Sequence, residues 1–368
     1  MVSALEIFTQ GELPRWGLFR QRLDAGRIDD VAATVAVEFG RPEVRGVITP
    51  GSRVALTAGS RGVDRIAEVL RVVAIQIRAL GGEPFIVPAM GSHGGATAAG
   101  QLALLAHYGI TEEAMGCPLR ASMETVQLGE LEEGIPVFLD RIAFETADLI
   151  IPINRVKPHT DFHGPVESGL MKMIAIGLGK QHGADTFHRQ GFGEFARLIP
   201  AIAHFTVSRV DMPFGLALIE NGYGQLGKIE AVPAKQLWER EQALLRTARE
   251  RMARLPQVPA IDVLIVDRIG KDISGDGADP NVINRDCAGV VNLAEHGGKP
   301  AVQRLIVRDL TDDTEGNASG IGMFDFALRR AVDRIDPVAT YMNMLTAKVP
   351  AGARIPITLD TDREALHL

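Results

Sequence analysis

A chain of 368 residues, 46% hydrophobic and 23% charged, has globular composition and room for two domains, each with its own core. A formal net charge of −7, no clustered Lys/Arg run and only 5% aromatic residues exclude a binder of phosphate backbones or stacked bases. No apolar run reaches the ~20 residues that span a bilayer, Met1–Arg20 lacks the apolar centre of a signal peptide, and two cysteines, Cys117 and Cys287, cannot build a disulfide framework; a cytoplasmic protein is expected.

The first predicted strand is Val54–Thr57, closed by Ala58-Gly59-Ser60-Arg61-Gly62. Val63, Ile66, Val69, Leu70, Val73, Ile77 and Leu80 then recur at spacings of three and four, which predicts a helix. Gly81-Gly82 ends it, Pro84–Val87 reads as a strand, and Gly91-Ser92-His93-Gly94-Gly95 leads into a helix from Thr97 to His107. Ala147–Ile153 is apolar enough for a strand covered on both faces, and Phe214–Ile219 is another. Gln236–Arg254 predicts a charged helix, Leu255–Pro259 a linker, Ile261–Val266 and Leu305–Val307 two further strands, and Asp360–Ala365 the start of a short terminal helix. Strands and helices alternating through short glycine loops predict an α/β fold: two α/β domains with mainly parallel sheets and an active site in the interdomain cleft. The boundaries are 1–256 for an N-terminal domain carrying the site and 257–350 for a C-terminal domain, with 351–368 a segment able to pack back on the first domain.

Ser60-Arg61 and Ser92-His93 leave the carboxyl ends of predicted strands, the edge where open α/β sheets bind ligands. Neither Gly91–Gly95 nor Gly177-Leu178-Gly179-Lys180 is a P-loop or a dinucleotide fingerprint; each reads as a tight turn or as a helix amino end that holds an anion. Asn154–Gly191 holds four of the nine histidines. His93 and His159, on loops at the ligand edge, suit an acid and base pair. His182 and His188 follow Lys172 and can ligate a metal, although the zinc signatures are absent. His107, His204, His296 and His367 read as structural or surface histidines. Lys172 has two readings: a snorkelling lysine with its ammonium in water, or a desolvated amine acting as nucleophile or covalent anchor. Its neighbours Leu170-Met171 and Met173–Ile176 favour burial. Arg61 suits a carboxylate clamp. Asp272–Asp279 and Asp309–Glu315 lack calcium-loop spacing and read as solvated or capping loops.

In this order, Ser60-Arg61, Gly91-Ser92-His93, Lys157-Pro158-His159, Ser168-Gly169 through Lys172, and His188 resemble the nickel-pincer lactate racemase family and its 2-hydroxyacid racemase and epimerase relatives. The likeness runs from about Val54 to Gly191 and continues more weakly at Gly270-Lys271-Asp272 and Asp279-Pro280-Asn281. The resemblance implies a nickel-pincer nucleotide (nickel pyridinium-3,5-bisthiocarboxylic acid mononucleotide) held covalently on Lys172 beside Ser168 and Gly169, with His188 as nickel's fourth ligand. It implies an isomerase that moves a hydride from Cα of a 2-hydroxyacid to the cofactor and back, His93 and His159 being the acid/bases and Arg61 the carboxylate clamp. The chain departs from the family at Ala58, where lactate-specific members carry an aspartate, and between His159 and Lys172, where extra residues include His163. His163 therefore competes with His159 as base, and His182 with His188 as nickel ligand. The family's second-domain substrate contacts have no clear counterpart; Asn284 and Arg285 lie nearby. A substrate other than lactate is expected, with no nucleic-acid or membrane partner and homo-oligomerisation left open. Two rivals stand: a Schiff-base lysine enzyme acting on carbonyl substrates, and a non-catalytic binder of anionic metabolites.

Overall fold

Strand Arg53–Ala58 is buried at every position but its first, and Glu83–Pro88 repeats the pattern, because a parallel strand is covered on both faces. In the computed structural model, which describes residues 12–13, 15–287 and 300–367, these strands pair in parallel from Arg53 opposite Glu83 to Ala58 opposite Pro88. His296 lies outside the described residues. Leu149–Ile151 pairs in parallel on the other side of Arg53–Ala58. Pro152 has no N–H to continue that ladder, and Ile153–Arg155 instead pairs in parallel with Phe214–Glu220, which pairs antiparallel with Leu226–Pro233. The Pro152 carbonyl accepts the Leu216 N–H at 2.8 Å, and Thr57 Oγ1 accepts the Ile153 N–H at 2.9 Å. One segment thus stitches two three-stranded sheets.

Side chains alternate across the pleat, so Val54 and Leu56 enter one core while Ala55 enters another. Helix Ile66–Ala79 buries Val69, Leu70, Val73 and Ile77, the stripe its spacing predicts, and joins the first core. The second core takes Leu170, Ile174, Phe187 and Phe195. Helix Leu237–Arg251 buries Leu237, Glu241, Leu244, Leu245 and Ala248. An antiparallel hairpin, Thr125–Glu130 with Pro136–Asp140, has no counterpart among the predicted elements; its first strand is nowhere fully buried and lacks the apolar run that marked the others.

The chain divides into two compact units, Leu23–Ala253 and Arg254–Leu368, the latter grouped with the N-terminal segment up to Arg22. The second unit holds a four-stranded parallel sheet in the order Ile357–Leu359, Phe326–Leu328, Ala301–Leu310, Ala260–Ile269. The C-terminal segment supplies the edge strand of this second sheet, where Leu359 and Ala365 join Ile306 and Leu328 in a small core. The acidic stretches have structural work: Asp279 caps Pro280–Ile283, and Asp309 and Asp312 pair with Arg334. Among the described residues no helix is long and apolar enough to cross a membrane.

Candidate active site

Because Arg53–Ala58, Glu83–Pro88 and Ile153–Arg155 run parallel, their carboxyl ends release Gly59–Gly62, Ala89–Thr97 and Val156–Ser168 toward one edge. All three loops meet a single helical segment. It begins as Leu170–Lys172, continues as a π-helical turn Met173–Gly177 and leads into helix Lys180–Arg189; such π turns recur at functional sites. Gly59 packs against Met173, and the Gly91 N–H donates to the Gly177 carbonyl at 3.3 Å. Gly177 must be glycine, since a Cβ there would lie 2.6 Å from the Ala89 carbonyl oxygen.

Lys172 sits on this segment between the buried residues Met171 and Met173 and is itself half-buried. Its Nζ lies 5.9 Å from the centroid of the Phe162 ring and meets no hydrogen-bond or carboxylate partner among the described residues. Burial, opposed by Asp161 and reinforced by Arg61 and Lys157, brings the amine down to about 7; a desolvated ammonium sheds its proton more readily. Lys172 is thus partly desolvated, as its apolar neighbours predict.

The loop before it is closed by the antiparallel bridge between Lys157 and Ser168, whose carbonyl accepts the Lys157 N–H at 3.0 Å. Glu167, fully buried, organises its interior. Its carboxylate accepts from the His159 N–H (2.6 Å), the Gly164 N–H (3.2 Å), His163 Nδ1 (3.1 Å) and the Arg249 guanidinium. The His159 ring stacks on Phe162 at 4.4 Å, and its Nδ1 accepts the Asp161 N–H at 3.0 Å. A backbone N–H only donates, so neutral His159 carries its proton on Nε2. Burial first, then the charges of Lys172, Lys157 and Arg61, hold this imidazole well below the usual histidine range. His93 Nδ1 lies 2.9 Å from the Met90 carbonyl, which only accepts, so Nδ1 donates there and a neutral His93 has its lone pair on Nε2, the opposite tautomer.

His188 lies in the last turn of helix Lys180–Arg189, its ring 5.3 Å from Phe195, which is 5.3 Å from Phe162. His159, Lys172 and His188 therefore all border the Phe162–Phe195 pair. His182 turns elsewhere, to Thr125 Oγ1 at 3.2 Å and the Phe138 ring. Arg61 is exposed on its loop, and its charge reaches both His159 and Lys172. Gly169 is pinned from both sides: its carbonyl accepts Asn154 Nδ2 at 2.7 Å, and a side chain at 169 would collide with the Glu241 carboxyl. Asn284 and Arg285 belong to the second unit. Asn284 Nδ2 donates to the Pro300 carbonyl at 3.0 Å, and Arg285 pairs with Asp325 at 2.8 Å.

Several residues of this arrangement were not singled out from sequence. Glu167 had a weak signal, lying four positions after His163. Glu241 had a clearer one, a carboxylate on the apolar stripe of helix Leu237–Arg251. It accepts the Met171 N–H at 3.0 Å, and burial pushes it up to about 8. Lys180, weighed only as the end of a glycine turn, is fully buried and pairs with Asp140 at 2.7 Å. A cavity of about 310 Å³ lined by Arg53, Phe85, Cys117 and Arg120 lies at the amino edge of the sheet and contains none of the candidate residues.

Among the described residues no three His, Cys, Asp or Glu gather as a metal site. No protein-family model and no curated protein matches the sequence. Among solved structures, the lactate racemase apoprotein from Thermoanaerobacterium thermosaccharolyticum is similar in fold, with a TM-score of 0.53 at 13% identity over 93% of this chain and 86% of that one. A Thermotoga maritima protein aligns with a TM-score of 0.49 at 15% identity, over 76% of this chain and 68% of that one. At these identities the likeness is one of fold.

Proposed function

We propose that the protein is a racemase or epimerase of a 2-hydroxyacid whose Lys172 carries a nickel-pincer nucleotide. The observation that carries this reading is Lys172 itself: an amine brought to about 7, without a carboxylate partner among the described residues, on a π turn where three strand-end loops meet. The lactate racemase fold of the neighbour is in accord with it.

The residues present fit the group. A half-neutral amine is competent to hold a covalent tether. Among the described residues no three His, Cys, Asp or Glu gather as a metal site, so a metal held here would draw donors from a bound group. A tethered sulfur-donor group together with one imidazole meets that need. When bound, the group supplies a reversible hydride acceptor, which removes the need to form a carbanion from an unactivated C–H. The chain supplies the rest. Arg61 balances the substrate carboxylate. His93 Nε2, holding a lone pair, takes the hydroxyl proton as the oxygen becomes a carbonyl. His159, held neutral with its proton on Nε2, donates a hydrogen bond to that oxygen and stabilises the planar 2-oxoacid. The His93 proton then returns to the oxygen when the C–H bond re-forms on either face. Ala58, apolar at the floor of the Arg61 loop, fits a substrate other than lactate.

Enzyme matured with the nucleotide is expected to contain nickel, to show the added mass on the Lys172 peptide, and to interconvert stereoisomers of a 2-hydroxyacid by chiral chromatography; Lys172→Arg loses all three. Matured enzyme without nickel and without added mass overturns the reading. The lowered Lys172 also favours a second reading, a Schiff-base enzyme, which predicts borohydride trapping of a carbonyl substrate on Lys172.

A further inference from the structure

Between the helix that carries His188 and the loop that carries His93 lies a buried polar chain. Lys180, Asp140 and Gln101 are each 0% exposed. Lys180 opens helix Lys180–Arg189 with φ +52°, a conformation uncommon outside glycine. It is held there by its 2.7 Å ion pair with Asp140 and a hydrogen bond to the Pro88 carbonyl at the end of strand Glu83–Pro88. Its ammonium also lies 3.4 Å from Gln101 Oε1. An ammonium only donates, so the amide oxygen must face it and the amide nitrogen must face away. Nε2 is thereby aimed at the glycine loop, where it donates to the Gly91 carbonyl at 3.0 Å and the His93 carbonyl at 3.3 Å.

We infer that Gln101, oriented by the buried Lys180–Asp140 pair, is a positioning residue for His93: its amide clamps the carbonyls on either side of Ser92 and so holds the ring whose Nδ1 donates to Met90. The inference rests on His93 acting as the proton acceptor proposed above. Its logic is that of a buried network whose members are fixed by donor and acceptor type, which specifies one arrangement of a loop. The loop needs such a clamp because Gly91, Gly94 and Gly95 all adopt positive φ and glycines do not hold a conformation by themselves.

The test uses full-length protein with labelled histidine, the His93 signal being assigned by its loss in His93→Gln. Gln101→Leu removes all three amide contacts at similar volume, and Gln101→Glu keeps the acceptor toward Lys180 while removing both donors to the loop. Imidazole nitrogen shifts are expected to show the wild-type His93 with its proton on Nδ1, and both variants with that preference lost, at melting temperatures near wild type for Gln101→Glu. In the matured enzyme, both variants should lower kcat at least tenfold with KM within about twofold. Lys180→Arg, which retains charge and donors, should restore most of the wild-type tautomer preference relative to Lys180→Met. Folded Gln101→Glu with an unchanged His93 tautomer and unchanged kcat overturns the inference. A shifted tautomer in a protein whose wild type never turns over a 2-hydroxyacid leaves the clamp standing and removes the racemase reading instead.

Discussion

Lys172 sits half-buried between apolar neighbours, and the proposed role asks its amine to act as a nucleophile. With the amine at about 7, an amine-directed acylating reagent should label Lys172 with half-maximal rate near that pH, against ~10.4 for an unperturbed lysine. Peptide mass spectrometry across pH 6–10 reads this directly, and half-maximal labelling above pH 9 would return Lys172 to an ordinary snorkelling residue. The same lowering has a stability consequence. Between about pH 7 and 10.5 the unfolded chain binds a proton at Lys172 that the folded chain does not, so stability rises with pH across that window. Below it both states are charged and the folding penalty is at its full size. Lys172→Met, which keeps the apolar stem and removes the amine, should therefore stabilise the protein without cofactor by roughly 1 kcal/mol or more at pH 6.5, the gain shrinking by pH 9.5. Denaturant unfolding at the two pH values checks both sign and window. The partial burial of Lys172 was legible from its neighbours Leu170-Met171 and Met173–Ile176. The opposite tautomers of His93 and His159 were not, because they depend on which backbone group each Nδ1 meets, Met90 O in one case and Asp161 N–H in the other.

At the scale of elements, the segment bearing Lys172 is held from below by helix Leu237–Arg251. Glu241 meets the Met171 N–H there, and burial pushes it up to about 8. Its unfolded counterpart ionises near 4.5, so folding takes up a proton between about pH 4.5 and 8, and stability falls as pH rises across that range. Glu241→Gln keeps a polar cap of the same shape without a charge. It should be close to wild type near pH 5 and gain stability relative to it up to pH 8, which thermal melts at both pH values would show; a difference that does not change with pH would contradict a protonated Glu241. The periodicity of helix Leu237–Arg251 carried this information, since positions 237, 241, 244, 245 and 248 form its buried stripe. The abundance of Glu and Arg masked it. Gly169, by contrast, was legible only as part of a motif. Its necessity comes from Glu241, far along the chain, and contacts of that range leave no local trace. Helix Lys180–Arg189 shows the same limit, for a lysine after Gly177-Leu178-Gly179 reads locally as a turn, while its partners Asp140, Gln101 and Pro88 belong to three other elements.

Across the whole chain, several strands were legible because strands covered on both faces read as apolar runs: Arg53–Ala58, Glu83–Pro88 and Phe214–Glu220 each follow that rule. The hairpin strand Thr125–Glu130 escaped it through partial burial, and the final strand Ile357–Leu359 is too short to announce its sheet. In the second unit, Arg285 pairs with Asp325, which also accepts the Leu305 N–H; this is structural work that a substrate contact would have to share. The central claim, that the protein moves a hydride rather than a proton at Cα, is tested most directly with matured enzyme and a 2-hydroxyacid deuterated at Cα, run in ordinary water and analysed by chiral separation with mass detection. The account predicts that the newly formed stereoisomer retains its deuterium, and that Lys172→Arg forms none of it. A product carrying solvent hydrogen at Cα would contradict the account.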